Sequence, residues 1–219
     1  MVSYLFSDGK ERDIRIGKLV CLARTYKKHA KEMKSEVPKT PFLFLKPASS
    51  VIFDGDSIIY PEMSKCLHHE VELGLIVGKK CKNISQNEAL NYVLGYCLAL
   101  DITARDIQAE AKKKGWPWSI SKGFDTFAPI SKVVLKNEVE DPNNLDLSLK
   151  VNGEIKQSSN TKNLIFPVEK IIEDVSKIMT LEPGDLIMTG TPEGVDEIKK
   201  GDILEAKLGN ICSLKVDVR

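Results

Sequence analysis

The stretch Glu70-Val71-Glu72-Leu73-Gly74-Leu75-Ile76-Val77 combines an almost continuous apolar run with two carboxylates at its start. A second apolar run, Val93-Leu94-Gly95-Tyr96-Cys97-Leu98-Ala99-Leu100, ends directly before Asp101. Both runs have the length and composition of buried β-strands. Side chains two residues apart on a strand point to the same face, so Glu70 and Glu72 share a face. The sequence therefore predicts three carboxylates at strand ends.

The remaining segments contain more strand patterns than helix patterns. The turn Asn152-Gly153, between the segments Leu145–Val151 and Glu154–Gln157, predicts a β-hairpin. An amphipathic pattern predicts a helix over Pro167–Thr180. A second helix is predicted over Thr103–Lys114, where Gly115 and Pro117 mark its end. The strands are spread irregularly and do not alternate with helices as in βαβ units. The sequence therefore predicts a β-rich α+β fold, formed by one domain over residues 1–219.

Two shorter helices are also predicted. One covers Tyr26–Met33 and is ended by Pro38, because proline interrupts a helix. The other covers Ser85–Val93, where Ser85 followed by Glu88 fits a capping box.

Composition excludes several classes of protein. The net charge of +1 over 219 residues argues against a broad nucleic-acid surface, which usually carries a basic excess. No apolar stretch approaches the roughly 20 residues that span a bilayer. The N-terminus lacks the features of a secretory signal, so a cytoplasmic protein without membrane partners is expected. The five cysteines form no C-x-x-C motif, which favours reduced thiols over a disulfide framework.

The three carboxylates offer a set of hard oxygen ligands that suits Mg²⁺, Mn²⁺ or Ca²⁺. Each carboxylate also has an ordinary interpretation: Glu70 and Glu72 as a solvated strand face, and Asp101 as a helix N-cap. The apolar surroundings of the glutamates weaken that interpretation. Unpaired carboxylates beside a buried strand are unfavourable unless a cation compensates them.

Polar residues near these carboxylates suggest further chemistry. In a continuous helix, Asp101, Arg105 and Gln108 would lie on one face, as an ion-pairing surface or, next to a metal, as an edge that recognises anions. His29 and Glu32 are three residues apart on a predicted helix and are able to touch. A histidine oriented by a carboxylate is a workable general base. A surface pair on a lysine-rich helix is the alternative.

Three further residues carry weaker signals. Lys122 follows the break Trp116-Pro117-Trp118 in a loop whose composition favours solvent exposure. Thr191 lies in Gly190–Gly194, which reads as a plain turn able to offer a hydroxyl and backbone N–H groups to an anion. His69 is interpreted as a packing residue beside the candidate ligands.

Taken together, these segments resemble the fumarylacetoacetate hydrolase family, in particular its short single-domain acylpyruvate hydrolases and oxaloacetate decarboxylases. Seven motifs in the same order are far more specific than any one of them, and they span about residues 17–218. The motifs lie at residues 21–26 with 29 and 32, 44–47, 68–73, 100–106, 122–125, 151–153 and 189–195.

The resemblance implies a fold, a site and a reaction. The implied fold is a β-rich α+β roll of layered sheets, usually assembled as a homodimer. The implied reaction is metal-dependent cleavage of an acylpyruvate to pyruvate and a carboxylic acid, with oxaloacetate decarboxylation as a further activity on a small 2-oxo acid. The implied site residues are Glu70, Glu72 and Asp101 for Mg²⁺ or Mn²⁺, Arg24, Arg105, Gln108 and Thr191 for substrate, and His29, Glu32 and Lys122 for catalysis.

Two alternatives belong to other functional classes. The first is an isomerase or decarboxylase of unsaturated 2-oxo or 2-hydroxy dicarboxylates, which would use the same metal-assisted enolate chemistry. The second is a structural protein in which a cation only braces the strands. A bracing site needs neither the His29–Glu32 pair nor the Arg105–Gln108 pair, so these pairs favour an enzyme.

Overall fold

A computed structural model describes residues 2–32 and 40–219 of the chain. Within these residues the protein is rich in strands and carries short helices. The strands are β1 Leu19–Ala23, β2 Phe42–Lys46, β3 Val51–Phe53, β4 Ser57–Ile58, β5 Leu67–His68, β6 Val71–Val77, β7 Val93–Leu100, β8 Thr103–Ala104, β9 Ala128–Ile130, β10 Val134–Leu135, β11 Asp146–Val151, β12 Glu154–Asn160, β13 Leu186–Met188, β14 Glu197–Ile198, β15 Ile203–Leu208 and β16 Cys212–Val218. The α-helices are α1 Lys27–Glu32, α2 Arg105–Lys114, α3 Ser119–Lys122 and α4 Val168–Ile178, and 3₁₀ helices cover Ala48–Ser50, Gln86–Tyr92, Lys136–Glu138 and Thr161–Asn163.

The largest sheet has mixed strand directions and the order β2-β1-β13-β6-β7-β9-β3, with β10 also paired to β7. Strands β6 and β7 lie at its centre, and every residue of β6 is buried. Burial on both faces explains why its sequence is nearly continuously apolar rather than alternating. The antiparallel register sets Val71 opposite Leu100, and the Asp101 N–H donates to the Glu70 carbonyl at 2.8 Å. The start of β6 and the end of β7 therefore meet at one edge.

A second sheet, in the order β12-β11-β15-β16-β4, packs on the first through an apolar core. Its hairpin β11–β12 turns at Asn152 and Gly153, whose φ angles of 51° and 83° fit a two-residue turn of the primed type. The predicted hairpin is confirmed. A third, small sheet, β14-β5-β8, joins the segment before Glu70 to the segment after Asp101.

The helix predicted over Thr103–Lys114 begins later in the structure. Thr103 and Ala104 pair with Leu67 and His68 as strand β8, so α2 starts only at Arg105. Gly115, with φ 67°, ends α2 in the left-handed conformation that favours glycine at this position. Asp101 therefore lies outside the helix, and the predicted face of Asp101, Arg105 and Gln108 on one helix is wrong.

The other helices agree with the sequence in position. The helix predicted over Pro167–Thr180 is present as α4, and the segment after Ser85 forms a 3₁₀ helix. The Ser85 hydroxyl donates to the Glu88 carboxylate at 2.9 Å but makes no capping bond to a backbone N–H, so the predicted capping box is not formed. Helix α1 lies within the first predicted helix, while Met33 and Pro38 fall outside the described residues. None of the described helices is long and apolar enough to cross a membrane.

Candidate metal centre

The meeting edge of β6 and β7 gathers three buried carboxylates. Glu70 precedes β6, Glu72 is its second residue, and Asp101 follows β7. One carboxylate oxygen from each lies within 4.8 Å of those of the others. Their residues are 7%, 1% and 1% exposed, so water compensates little of their charge. The fold thus concentrates three acidic groups in one buried place, which requires compensating cations.

Three basic side chains surround this triad of Glu70, Glu72 and Asp101. The Lys122 ammonium donates to Glu70 Oε2 at 3.0 Å and to Asp101 Oδ2 at 2.5 Å. Lys46 donates to Asp101 Oδ1 at 2.6 Å. Arg105 donates to Glu70 Oε1 at 2.5 Å. Among the described residues, no basic group lies within ion-pair distance of Glu72.

The pKa directions follow this arrangement. Burial alone would raise the pKa of Glu70, but the charges of Lys122 and Arg105 outweigh burial and hold it well below its ordinary value. Burial also raises the pKa of Glu72, and repulsion from Asp101 and Glu70 raises it further. Burial opposes the charge of Lys122, yet Asp101 and Glu70 raise its pKa, so it stays an ammonium. Among the described residues, Glu72 is therefore the least compensated member of the triad.

Backbone geometry fixes the Glu72 carboxylate. The Gly190 N–H donates to Glu72 Oε2 at 2.7 Å, from a segment that follows β13. Gly190 has φ 90°, and a Cβ there would lie 2.0 Å from Thr25 Oγ1. Only glycine permits this approach. Thr25 in turn donates to the Thr189 carbonyl at 2.7 Å, which ties the segment after β1 to the same place.

Helix α1 places a histidine at the site. His29 Nδ1 lies 3.1 Å from Glu32 Oε2, and the other Glu32 oxygen accepts the Gly194 N–H at 3.0 Å. His29 is 7% exposed although its helix is short and lysine-rich. Glu32 itself is exposed, and its carboxylate links the buried His29 to the loop that contains Thr191. With Nδ1–H donated to Glu32, His29 Nε2 is the nitrogen able to accept a proton.

Arg105 and Gln108 contact each other on α2. Arg105 donates to the Gln108 side-chain oxygen at 2.8 Å as well as to Glu70. Two of its nitrogens are thus engaged within the protein. Arg105 orients Glu70 and also lines the cavity, and its contact with substrate stays a prediction.

Lys122 was expected in an exposed loop from composition alone, and that expectation is wrong. It ends the short helix α3, is 2% exposed, and also donates to the Thr103 hydroxyl at 2.6 Å. Lys46, equally buried, received no role from the sequence, although a lysine at the end of the apolar strand Phe42–Leu45 is unusual. The ion pair of Lys46 with Asp101 supplies the reason for that placement.

Gln157, on β12, is the second residue that the sequence did not single out. Its side-chain oxygen accepts the Val71 N–H at 3.0 Å and lies 3.0 Å from His69 Nδ1. Its amide nitrogen donates to Thr191 Oγ1 at 2.9 Å and to the Pro192 carbonyl at 3.0 Å. Gln157 therefore braces the Thr191 loop against β6. No local pattern marks a glutamine in a hairpin strand for this task.

A small open cavity of about 40 Å³, continuous with solvent, leads to the triad. Asp101, whose carboxylate accepts from Lys122, is not part of the cavity wall. Of the ten predicted site residues, Glu32 and Asp101 lie outside the wall and the other eight line it. The lining residues are Leu22, Ala23, Arg24, His29, Phe44, Glu70, Glu72, Arg105, Gln108, Lys112, Trp118, Lys122 and Thr191.

The donor set fits a hard divalent cation. Three carboxylates on rigid strand ends supply only oxygen ligands, as Mg²⁺ and Mn²⁺ prefer, and the adjoining cavity leaves room for ligands other than protein. Glu72, buried without a basic partner in the described part of the chain, is the group that such a cation would compensate.

Comparisons with known proteins agree with this description. The model of the fumarylacetoacetate (FAA) hydrolase C-terminal family matches residues 18–219. The chain is 46% identical over 200 residues to the mitochondrial oxaloacetate tautomerase FAHD1 of Bos taurus, covering 91% of this chain and 90% of the relative. The corresponding protein of Arabidopsis thaliana is 46% identical over 218 residues, covering 100% and 95%.

A solved structure extends the agreement to the fold. Fumarylpyruvate hydrolase from Pseudomonas aeruginosa, in complex with Mn²⁺ and pyruvate, has a TM-score of 0.95 at 34% identity, covering 99% of this chain and 95% of that one. The α+β fold class and the family resemblance predicted from the sequence are confirmed.

Proposed function

Because the chain belongs to the fumarylacetoacetate hydrolase family, we propose that it is a divalent-metal-dependent enzyme acting on a 2-oxo acid. The reaction we favour is keto–enol interconversion of oxaloacetate, the reaction in the names of the mitochondrial relatives. The predicted acylpyruvate hydrolysis becomes the second candidate. Both reactions need a group that removes or returns a proton and a site that stabilises negative charge on the 2-oxo oxygen.

One observation carries the proposal. A single cavity wall brings together two glutamates of the triad, the Lys122 ammonium and the imidazole of His29. A cation that only braced strands would require neither the histidine nor an open cavity beside the ligands.

Bound at Glu70, Glu72 and Asp101, a divalent ion would serve as a Lewis acid toward the 2-oxo group of the substrate. Lys122 remains protonated because Asp101 and Glu70 raise its pKa, so it supplies a fixed positive charge and not a base. Arg105, braced by Gln108, holds Glu70 in place. A preorganised charge of this kind lowers the free energy of an anionic transition state without rearrangement.

His29 is the proposed base. In the keto form of oxaloacetate, its Nε2 would take a proton from C3 and return it to the 2-oxo oxygen, which converts ketone to enol without net loss of protons. Glu32 stabilises the imidazolium formed in between, since it accepts the Nδ1–H and is itself held by Gly194.

The same pair supports the second candidate. With an acylpyruvate, His29 would take a proton from a water that attacks the 4-oxo carbon. The C3–C4 bond would break with its electron pair passing to the pyruvate part, His29 would return the proton to give the enol of pyruvate, and the acyl part would leave as a carboxylic acid that then ionises. The structural similarity to a fumarylpyruvate hydrolase supports hydrolysis as the second candidate reaction.

Turnover with and without metal tests the proposal. We expect purified protein to accelerate oxaloacetate tautomerisation with Mg²⁺ or Mn²⁺, to lose the activity after chelation and to regain it when metal is restored. Pyruvate release from acetylpyruvate, measured in parallel, ranks the hydrolase reaction. Equal rates before and after verified metal removal would contradict the metal assignment.

The His29→Ala variant separates proton transfer from decarboxylation. Tautomerisation and acylpyruvate hydrolysis should fall by about 100- to 10,000-fold, the usual contribution of a general base. Oxaloacetate decarboxylation should fall far less, because loss of CO₂ needs the charge-stabilising groups but no base at C3. Enol absorbance and pyruvate formation measure these reactions.

Lys31→Ala is the matched control, since Lys31 is exposed on the same helix. It should leave all three reactions unchanged. Parallel losses of the three reactions in His29→Ala would refute the assigned role of His29.

A further inference from the structure

We propose that Arg24 and Lys112 bind the second carboxylate of a 2-oxo dicarboxylate whose 2-oxo acid end lies at the triad. This inference rests on the proposed function and names its substrate class. Both residues line the cavity together with Glu70, Glu72 and Lys122.

The first argument is that neither of these two cations has an acidic partner among residues 2–32 and 40–219. Lys46, Lys122 and Arg105 are engaged in ion pairs with Asp101 and Glu70 of the triad. In the described part of the chain, no carboxylate lies within ion-pair distance of Arg24 or Lys112. The cavity wall thus carries two positive charges beyond those that hold the triad, and these attract an anionic ligand.

The second argument is that one aromatic pair holds both cations. The rings of Phe42 and Trp118 pack edge to face, with centroids 5.2 Å apart. The Arg24 guanidinium carbon lies 5.8 Å from the Phe42 centroid, and Lys112 Nζ lies 5.0 Å from the Trp118 centroid. Aromatic faces position a cation without neutralising its charge. The two cations therefore lie on the same part of the wall and remain available.

The third argument comes from the backbone. Arg24 has φ 61°, in the left-handed region that a residue with a Cβ rarely adopts. The adjacent Thr25 hydroxyl, bonded to the Thr189 carbonyl, helps to maintain this conformation. Strain of this kind is retained where the side-chain direction matters. Here it keeps the arginine on the cavity wall, beside the loop that leads to His29.

The electrostatics of Lys112 agree with a site for an anion. Partial removal of water from its ammonium, followed by repulsion from Arg105 and Arg24, lowers the pKa of Lys112 to about 8. Lys122 lowers it in the same direction, and Glu70 opposes them. A carboxylate between Arg24 and Lys112 would relieve this repulsion.

The test compares oxaloacetate with its 4-ethyl ester, which keeps the 2-oxo acid end and lacks the second carboxylate. We expect the wild-type protein to prefer the diacid in kcat/KM. Lys112→Met and Arg24→Met should each lower kcat/KM for the diacid by about tenfold, with a smaller loss for the ester, as removal of a charge-assisted contact implies. Lys113→Met, one residue along the same helix and not part of the cavity wall, is the control and should keep the preference.

The pH dependence of the preference for the diacid is a second test, because a purely structural role of Lys112 would not change it. An ammonium is charged below its pKa, so the wild-type preference for the diacid should weaken as the pH rises through about 8. Lys112→Arg should keep the preference over that range, because a guanidinium stays protonated.

Binding distinguishes failure of this inference from failure of the proposed function. Titration of Mg²⁺-loaded protein with N-oxalylglycine, a diacid, and oxamate, a monoacid with the same chelating end, requires no turnover. Weaker binding of N-oxalylglycine alone in Lys112→Met would support the inference even if the protein turned over neither substrate. Equal effects on diacid and monoacid in both assays, or no binding of either ligand by the wild type, would overturn it.

Discussion

Glu72→Gln should make the metal-free protein more stable while removing its response to metal. The substitution keeps the shape of the side chain and its bond from Gly190, but it deletes a buried charge that has no basic partner among the described residues. A gain of about 1 kcal/mol would raise the Tm by about 2–4 °C for a chain of this size. Activity should fall by more than about 100-fold, since even partners behind a metal ligand contribute 10- to 100-fold.

Thermal unfolding with and without Mg²⁺, together with turnover, measures both effects. Glu197→Gln is the control, because Glu197 is an exposed strand residue away from the cavity and should change neither quantity. A Glu72→Gln protein that is less stable without metal, or that keeps the metal-induced rise in Tm, would refute the assignment of Glu72 as a ligand. Misfolding alone would not produce a more stable apoprotein.

Lys122→Met should reduce turnover strongly without weakening metal binding. The ammonium contacts Glu70 and Asp101, so its removal leaves their oxygens with more negative charge for a divalent ion to neutralise. Metal affinity should therefore stay equal or increase. The kcat should fall by about 100- to 1,000-fold, the range for loss of one preorganised charge-stabilising group.

Calorimetric titration with Mn²⁺ and measurement of kcat give the two readouts. Lys18→Met is a matched control, because Lys18 forms an ion pair with the buried carboxylate of Asp185, outside the cavity. That control should lower stability and leave kcat unchanged. A parallel loss of kcat and of metal affinity in Lys122→Met would assign Lys122 to assembly of the metal site, contrary to the catalytic role.

Much of the fold could be predicted from the sequence, because the patterns that mark these elements involve residues close together in the chain. The apolar runs that became β6 and β7, the Asn152-Gly153 turn and the face of α4 depend on residues a few positions apart. The start of α2 was misplaced for the opposite reason. Thr103 and Ala104 suit a helix by themselves, but pairing with Leu67 and His68 draws them into a sheet.

The candidate site also has a part that the sequence predicted and a part that it did not. The spacing of Glu70 and Glu72 fixed their common face, and the position of Asp101 after an apolar run marked it as a strand-end residue. Their cations come from distant segments: Lys46 is 55 positions from Asp101, and Lys122 is 52 from Glu70. Burial of Lys122 is a consequence of those carboxylates, so the composition of its own loop gave the wrong expectation.

By itself the sequence determined the strand-rich class, the family and the three carboxylates, since periodicity and ordered motifs express contacts between near neighbours. Only the tertiary structure decided which charged and polar groups lie in contact at the site. Sheet register aligns Glu70 with Asp101, a left-handed glycine lets a backbone N–H reach Glu72, and Gln157 joins β6 to the Thr191 loop. Such contacts arise when distant segments are packed together, because buried polar groups must find partners wherever the fold supplies them.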